Sequence, residues 1–281
     1  MLLPVRPDLP FLRRAARRLH RRVRGGDAAA IALARHFDRG FAEPTAAPAA
    51  FALADAQRIV AREHGFASWP RLVRHVERVL AAADAPREPA LARLISSLHA
   101  ASLESVERAR VAGDRFDPRT VELQARGARA LEDVFEAHGW PTAPLVGPEA
   151  FADLFVVVGN AWTQGPFNRR AIPRLEARVR AGDAPARWLA QLADRADCLA
   201  GRPVRYGLVG DFDARGRLST GHDVVDPPSL DLRRAGMGLE PIEVQRRWCA
   251  EEARARGEAP YEDRDAYEAE KLEIGLRGGW R

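Results

Sequence analysis

The chain has 281 residues, 46% of them hydrophobic and 30% charged, with a formal net charge of +5. That suits one large or two modest domains of a globular protein, with enough apolar material for a core that needs no staples. Two cysteines without a CxxC partner exclude a disulfide framework and a cysteine-rich zinc site, and they fit a reducing cytoplasm. No stretch approaches the ~18 apolar residues of a membrane span. The basic start of the chain lacks the apolar run of a secretory signal, so a cytoplasmic location is expected.

The charge is uneven. Residues 1–86 carry 15 Arg against 8 Asp and Glu, a net of +7, whereas the remainder carries 29 basic and 31 acidic residues. Lys271 is the only lysine. Residues 11–24 set apolar Phe11, Leu12, Ala15, Ala16, Leu19 and Val23 four apart, with Arg13, Arg14, Arg17, Arg18, Arg21 and Arg22 between them. A four-residue step drifts only about 40° around a helix, so this is an amphipathic helix with an arginine face. Such a face contacts phosphate of nucleic acid or lipid, or it is a solvated outer face paired with acids.

Gly26-Asp27, Gly113-Asp114 and Gly182-Asp183 punctuate helical patterns, because glycine ends one helix and Asp caps the next. Residues 54–64 form a helix stopped by Gly65. Ser68 caps a following helix whose apolar face is Leu72, Val73, Val76, Val79 and Leu80. The proline-containing break at 84–89 divides the chain into an Arg-rich N-terminal helical module, 1–86, and a larger helical domain, 90–281. Further helices are expected at about 90–112, 117–138, 148–158, 166–181 and 185–199, then at 241–256 and 259–273.

Val204–Phe212 and Arg217–Val225 flank Asp213-Ala214-Arg215-Gly216, which suits a turn with a glycine bulge. The expected fold class is therefore mainly α, in two helical modules, with one small antiparallel β-hairpin over about 204–225. The segment 211–222 has the outline of a calcium loop, but Arg215 and His222 stand where ligands are needed. His222 has no second histidine nearby, so no metal site is expected. The absence of P-loop, GxGxxG and GxSxG patterns indicates no standard nucleotide cofactor or hydrolase elbow.

Two resemblances add to this reading. Residues 51–83, with DAQ, AREHGF and SWP, are similar to the leader segment of many bacterial ankyrin-repeat proteins, although the repeats are absent. That likeness implies a small helical packing or adaptor module. HGWPT..LVG at 138–147, DR.....G...YG at 194–207 and D.RR..MGL.P at 231–241 together resemble an uncharacterised bacterial domain of unknown function, over roughly 117–250. That family supplies no reaction, substrate or cofactor. Its Gln-His pair is replaced here by the Val156–Trp162 run, and its Q.YGTQ string by Val204–Val209, which implies a divergent or inactive member.

Three functional readings stay open. The leading one is a non-catalytic cytoplasmic interaction or accessory protein with an unidentified protein partner. The second is an enzyme or small-anion binder in a pocket framed by Trp140, Thr142, Asp194, Arg195, Tyr206, His222, Arg233 and Arg234, since guanidinium forks bind carboxylate and phosphate bidentately. The same Asp and Arg residues also suit a network that ties the hairpin to the helices. The third is a nucleic-acid or anionic-surface binder that uses the arginine helix. Oligomeric state is not encoded in any of these features.

Overall fold

In the computed structural model the described residues are 8–37, 41, 48–81, 86–208, 211–212, 218–219, 223–247 and 264–281. Helices α1 (Leu9–Arg24), α2 (Ala28–Phe37), α3 (Leu53–Glu63) and α4 (Trp69–Ala81) make the N-terminal part. The apolar stripe of α1, Leu12, Ala16, Leu19 and Val23, packs with Ala56, Ile59 and Val60 of α3 and with Leu72 and Val76 of α4. The four-residue spacing of that stripe is what commits one side of α1 to the core and leaves the arginines outside. Asp27 closes the turn into α2 by accepting the Ala30 N–H at 2.9 Å.

The second part is built on α5 (Pro89–Ala112), α6 (Pro118–His138), α7 (Ala143–Gly159), α8 (Gly165–Ala181) and α9 (Ala186–Leu199). Asp117 caps α6 as its sequence position suggests, accepting the Arg119 and Thr120 N–H groups at 3.1 Å. The core gathers Ile95, Leu131, Phe135, Trp140, Phe151, Leu154, Leu175 and Trp188. Residues 143–159 hold together across a kink at Gly147, whose φ of 80° and ψ of 160° are non-helical. The helical backbone thus begins before Pro148, where the proline alone suggested a start.

Helix α4 serves both cores: Leu72 and Val76 belong to the first and Val79 to the second. His75 stands between them, 4.9 Å from the Phe66 ring and 6.0 Å from Phe151. Arg78 of α4 pairs with Asp183, and Arg74 reaches the Ala181 carbonyl at 3.3 Å.

After α9 come a short 3-10 turn (Pro227–Ser229), α10 (Leu230–Gly236), α11 (described over 242–247) and α12 (Arg264–Arg277). Ile274 of α12 and Trp280 pack with Leu199, Ala196 and Phe116 in a third apolar cluster. Trp248 and the rest of the expected 241–256 helix lie outside the described residues.

Of the hairpin expected over 204–225, the described residues show only a short antiparallel pair. Strand pairing covers two residues on each side, β1 (Asp211–Phe212) with β2 (Leu218–Ser219), antiparallel. Val204 instead makes an isolated parallel bridge with Val224. The reason is local. The Asp194 carboxylate takes the N–H groups of Arg205, Tyr206 and Leu208, so the donors that a strand ladder needs are already used. The architecture of the described residues is mainly helical.

Candidate functional site

Asp194 lies on α9 with no exposed surface. Its Oδ1 accepts the Arg205 and Tyr206 N–H groups at 2.8 and 2.9 Å, and its Oδ2 accepts that of Leu208 at 2.8 Å. Desolvation outweighs these bonds and holds its carboxyl above the ordinary range. One turn on, Asp197 pairs with Arg202 at 2.8 Å and Arg205 at 2.7 Å.

Arg234 of α10 is also fully buried. It donates to the Glu240 carbonyl at 2.6 Å, to the Tyr206 carbonyl and to Gln245 Oε1. Burial pulls its guanidinium down to about 10. Arg233 donates to the carbonyls of Arg205, Asp226 and Val225 and to Ser229 Oγ. Asp231 accepts the Ile242 N–H at 2.9 Å, and Glu240 pairs with Arg187 at 2.7 Å. Asp194, Arg233 and Arg234 therefore meet around residues 205–208, and they meet on backbone groups.

The other residues of the expected pocket are spread out. Trp140 is 1% exposed, stacks on Phe135 at 5.4 Å and belongs to the apolar core. Thr142 lines a separate cavity of about 440 Å³ with His75, Arg78, Arg87 and Asp183. Tyr206 is half-buried, and burial pushes its phenol above its ordinary value. His222 lies outside the described residues.

Arg195 points away from this frame. It follows Asp194 on α9, about 100° around the helix, and lines two cavities, of about 300 and 420 Å³. Both share Asn160 and Leu208; the larger adds Val106, Arg115, Trp162, Cys198, Leu199, Glu270, Lys271 and Ile274. Neither includes Tyr206, Arg233 or Arg234. One Arg195 N–H donates to the Gly159 carbonyl at the end of α7. The side chain is exposed along the groove, yet the protein packed around it and the like charge of Arg115 lower its guanidinium below the ordinary value.

The groove walls are fixed. Gln124 Oε1 accepts the Thr163 N–H at 3.0 Å and its hydroxyl at 2.8 Å, Asn168 donates to the Ala161 carbonyl at 2.9 Å, and Asn160 donates to Ser102 Oγ at 3.0 Å. Trp162 Nε1 donates to the Arg115 carbonyl at 3.1 Å. Arg115 is neutralised by Glu270. Sequence reasoning overlooked Arg115, Asn160, Trp162 and Lys271, which meet only in three dimensions. The one compositional signal was Lys271, the single lysine in the chain and 7% exposed in the structure.

The outer face of α1 is the other concentration of charge. Arg14 meets Asp8 at 3.5 Å, and Arg22 is held bidentately by Asp27 at 2.8 and 3.1 Å. Arg13, Arg17, Arg18 and Arg21 are exposed and pair with no carboxylate among the described residues. Arg14, Arg17, Arg18 and Arg21 line an open groove of about 770 Å³ with Phe11, His20 and Leu53. Among the described residues no three His, Cys, Asp or Glu side chains converge as metal ligands, and no helix is long and apolar enough to cross a membrane. No protein-family model, curated protein or solved structure matches the chain.

Proposed function

We propose that this is a non-catalytic binding protein that docks the phosphate backbone of nucleic acid on the arginine face of α1. The observation that carries the reading is the row Arg13, Arg17, Arg18 and Arg21, exposed and lacking carboxylate partners among the described residues. A row of like charges held on a rigid helix repels itself, and a polymer of closely spaced phosphates relieves that repulsion by releasing its own counterions. Anionic lipid fits less well. An interfacial helix inserts its apolar face into the bilayer, and the apolar face of α1 is already spent on Leu12, Ala16, Leu19 and Val23 in the core. In this reading residues 1–86 are the docking module and the 90–281 domain is the body that carries it. The resemblances seen in the sequence support an adaptor role and attach no reaction to it. The buried Cys198 thiol fits a reducing, cytoplasmic setting.

The test is binding of the full chain to a labelled random-sequence DNA duplex over a salt series. The wild type is expected to show a steep negative dependence of log K on log salt. The variant with Arg13, Arg17, Arg18 and Arg21 changed to Gln is expected to lose roughly 0.9 of that slope for each phosphate contact removed. An unchanged slope in the variant overturns the reading. So does equal affinity for polyglutamate, which reassigns the face to an acidic protein partner.

A further inference from the structure

The groove around Arg195 is separate from the arginine face of α1. A guanidinium carries five N–H donors, and Arg195 uses one on the Gly159 carbonyl. Among the described residues no carboxylate pairs with it, whereas the neighbouring cation Arg115 has Glu270. The groove therefore presents, partly exposed, a guanidinium that no described carboxylate pairs and whose remaining N–H donors lie beside the lining. Much of the rest of the lining is apolar: Val106, Trp162, Leu199, Leu208 and Ile274.

The geometry points to a binding site for a small amphipathic monocarboxylate, with the carboxylate on Arg195 and the hydrocarbon body along Trp162, Leu199, Val106 and Ile274. A planar carboxylate matches the guanidinium fork with two parallel hydrogen bonds. A doubly charged phosphate is disfavoured. The C-terminal end of α7 adds partial negative charge beside Arg195 through its last carbonyls, and the Glu270 carboxylate lines the same groove. The volume of about 420 Å³ accommodates a chain of several carbons. Asp194 sets the rim of the groove, because its Oδ2 fixes the Leu208 backbone at 2.8 Å.

The test titrates the full-length protein by calorimetry with straight-chain carboxylates from acetate to octanoate, and with inorganic phosphate. Binding is expected to be saturable and to tighten roughly fourfold per methylene until the groove is filled. Arg195→Gln is expected to weaken every member by at least about tenfold, the loss of one charge-assisted hydrogen bond. Because Arg195 also holds the Gly159 carbonyl, a second variant separates binding from folding. Val106→Trp, at the solvent edge of the groove, is expected to abolish the gain with chain length at an unchanged thermal midpoint. DNA binding through α1 is expected to be the same in both variants, so the two sites fail separately. The inference is overturned if no carboxylate saturates, if Arg195→Gln binds like the wild type, or if phosphate binds more tightly than octanoate.

Discussion

Two adjacent residues, Asp194 and Arg195, do different work. Asp194 satisfies three backbone donors from a carboxylate with no exposed surface, so removing it leaves those donors buried and unpaired. Asp194→Ala is expected to cost about 3 kcal/mol or more in urea unfolding, and Asp194→Asn, which keeps one acceptor oxygen, distinctly less. Arg234 is the same case with the charge reversed. Its guanidinium serves acceptors in three directions, and an ammonium group has neither that fork nor that reach. Arg234→Lys is therefore expected to destabilise by about 2–4 kcal/mol in the same assay. Asp194, Arg195, Arg233 and Arg234 stood out in the sequence as a density of Asp and Arg. Their division of labour did not. Composition cannot show which way neighbouring side chains face, and Asp194 and Arg195 are separated by a rotation of about 100° around α9.

Most helices of the described residues could be read from apolar spacing and from caps such as Asp117-Pro118. α1 is the clearest case, because its period of four fixes both the buried stripe and the arginine face. The reading fell short where side chains outside the segment decide the backbone. Residues 204–208 have a strand-like pattern, but Asp194, a residue of the preceding helix, takes the Arg205, Tyr206 and Leu208 donors on which a strand depends. Gly238, just after α10, shows a related dependence. Its φ is 68°, and a Cβ there would meet the backbone of Gly65 at 2.7 Å and of Phe66 at 2.8 Å. Gly238→Ala combines left-handed strain with a backbone clash. It is expected to lower the unfolding free energy by roughly 2 kcal/mol or more, measured by denaturant titration.

On the scale of the molecule, the seam between the N-terminal helices and the larger body passes through α4. A break at 84–89 was visible in the sequence, but the helix before it contributes Val79 to the second core, so the apolar contacts cross the boundary that composition suggests. His75 lies on that seam, 6% exposed, with its Nδ1 3.2 Å from the Asp183 carbonyl. Burial, and then the charge of Arg78, push its imidazole from 6.5 down to about 4. The charged groups around it include Arg78 on its own helix, Arg87 across the shared cavity and Asp183 on the α8–α9 turn, which also meets Arg178 at 3.8 Å. The unfolded chain takes up this proton below about 6.5, whereas the folded protein resists until about 4. Stability from this group is therefore complete above pH 6.5 and is lost as the pH falls towards 4, by roughly 3 kcal/mol. His75→Gln is expected to flatten the dependence of urea stability on pH within that window. An unchanged slope would place the acid sensitivity elsewhere.

The clamp on residues 205–208 also has a consequence in time. These amides lie outside helices and, apart from the bridge at Val204, outside strands, where exchange with solvent deuterium is ordinarily fast. Here the Arg205, Tyr206 and Leu208 amides are held by one carboxylate inside the protein, so each can exchange only when Asp194 leaves its seat. Their exchange rates should fall together, close to those of the α9 interior rather than those of a surface connection. The three rates should also rise in concert when Asp194 is replaced, which would mark this irregular segment as part of the slowest-opening body of the protein.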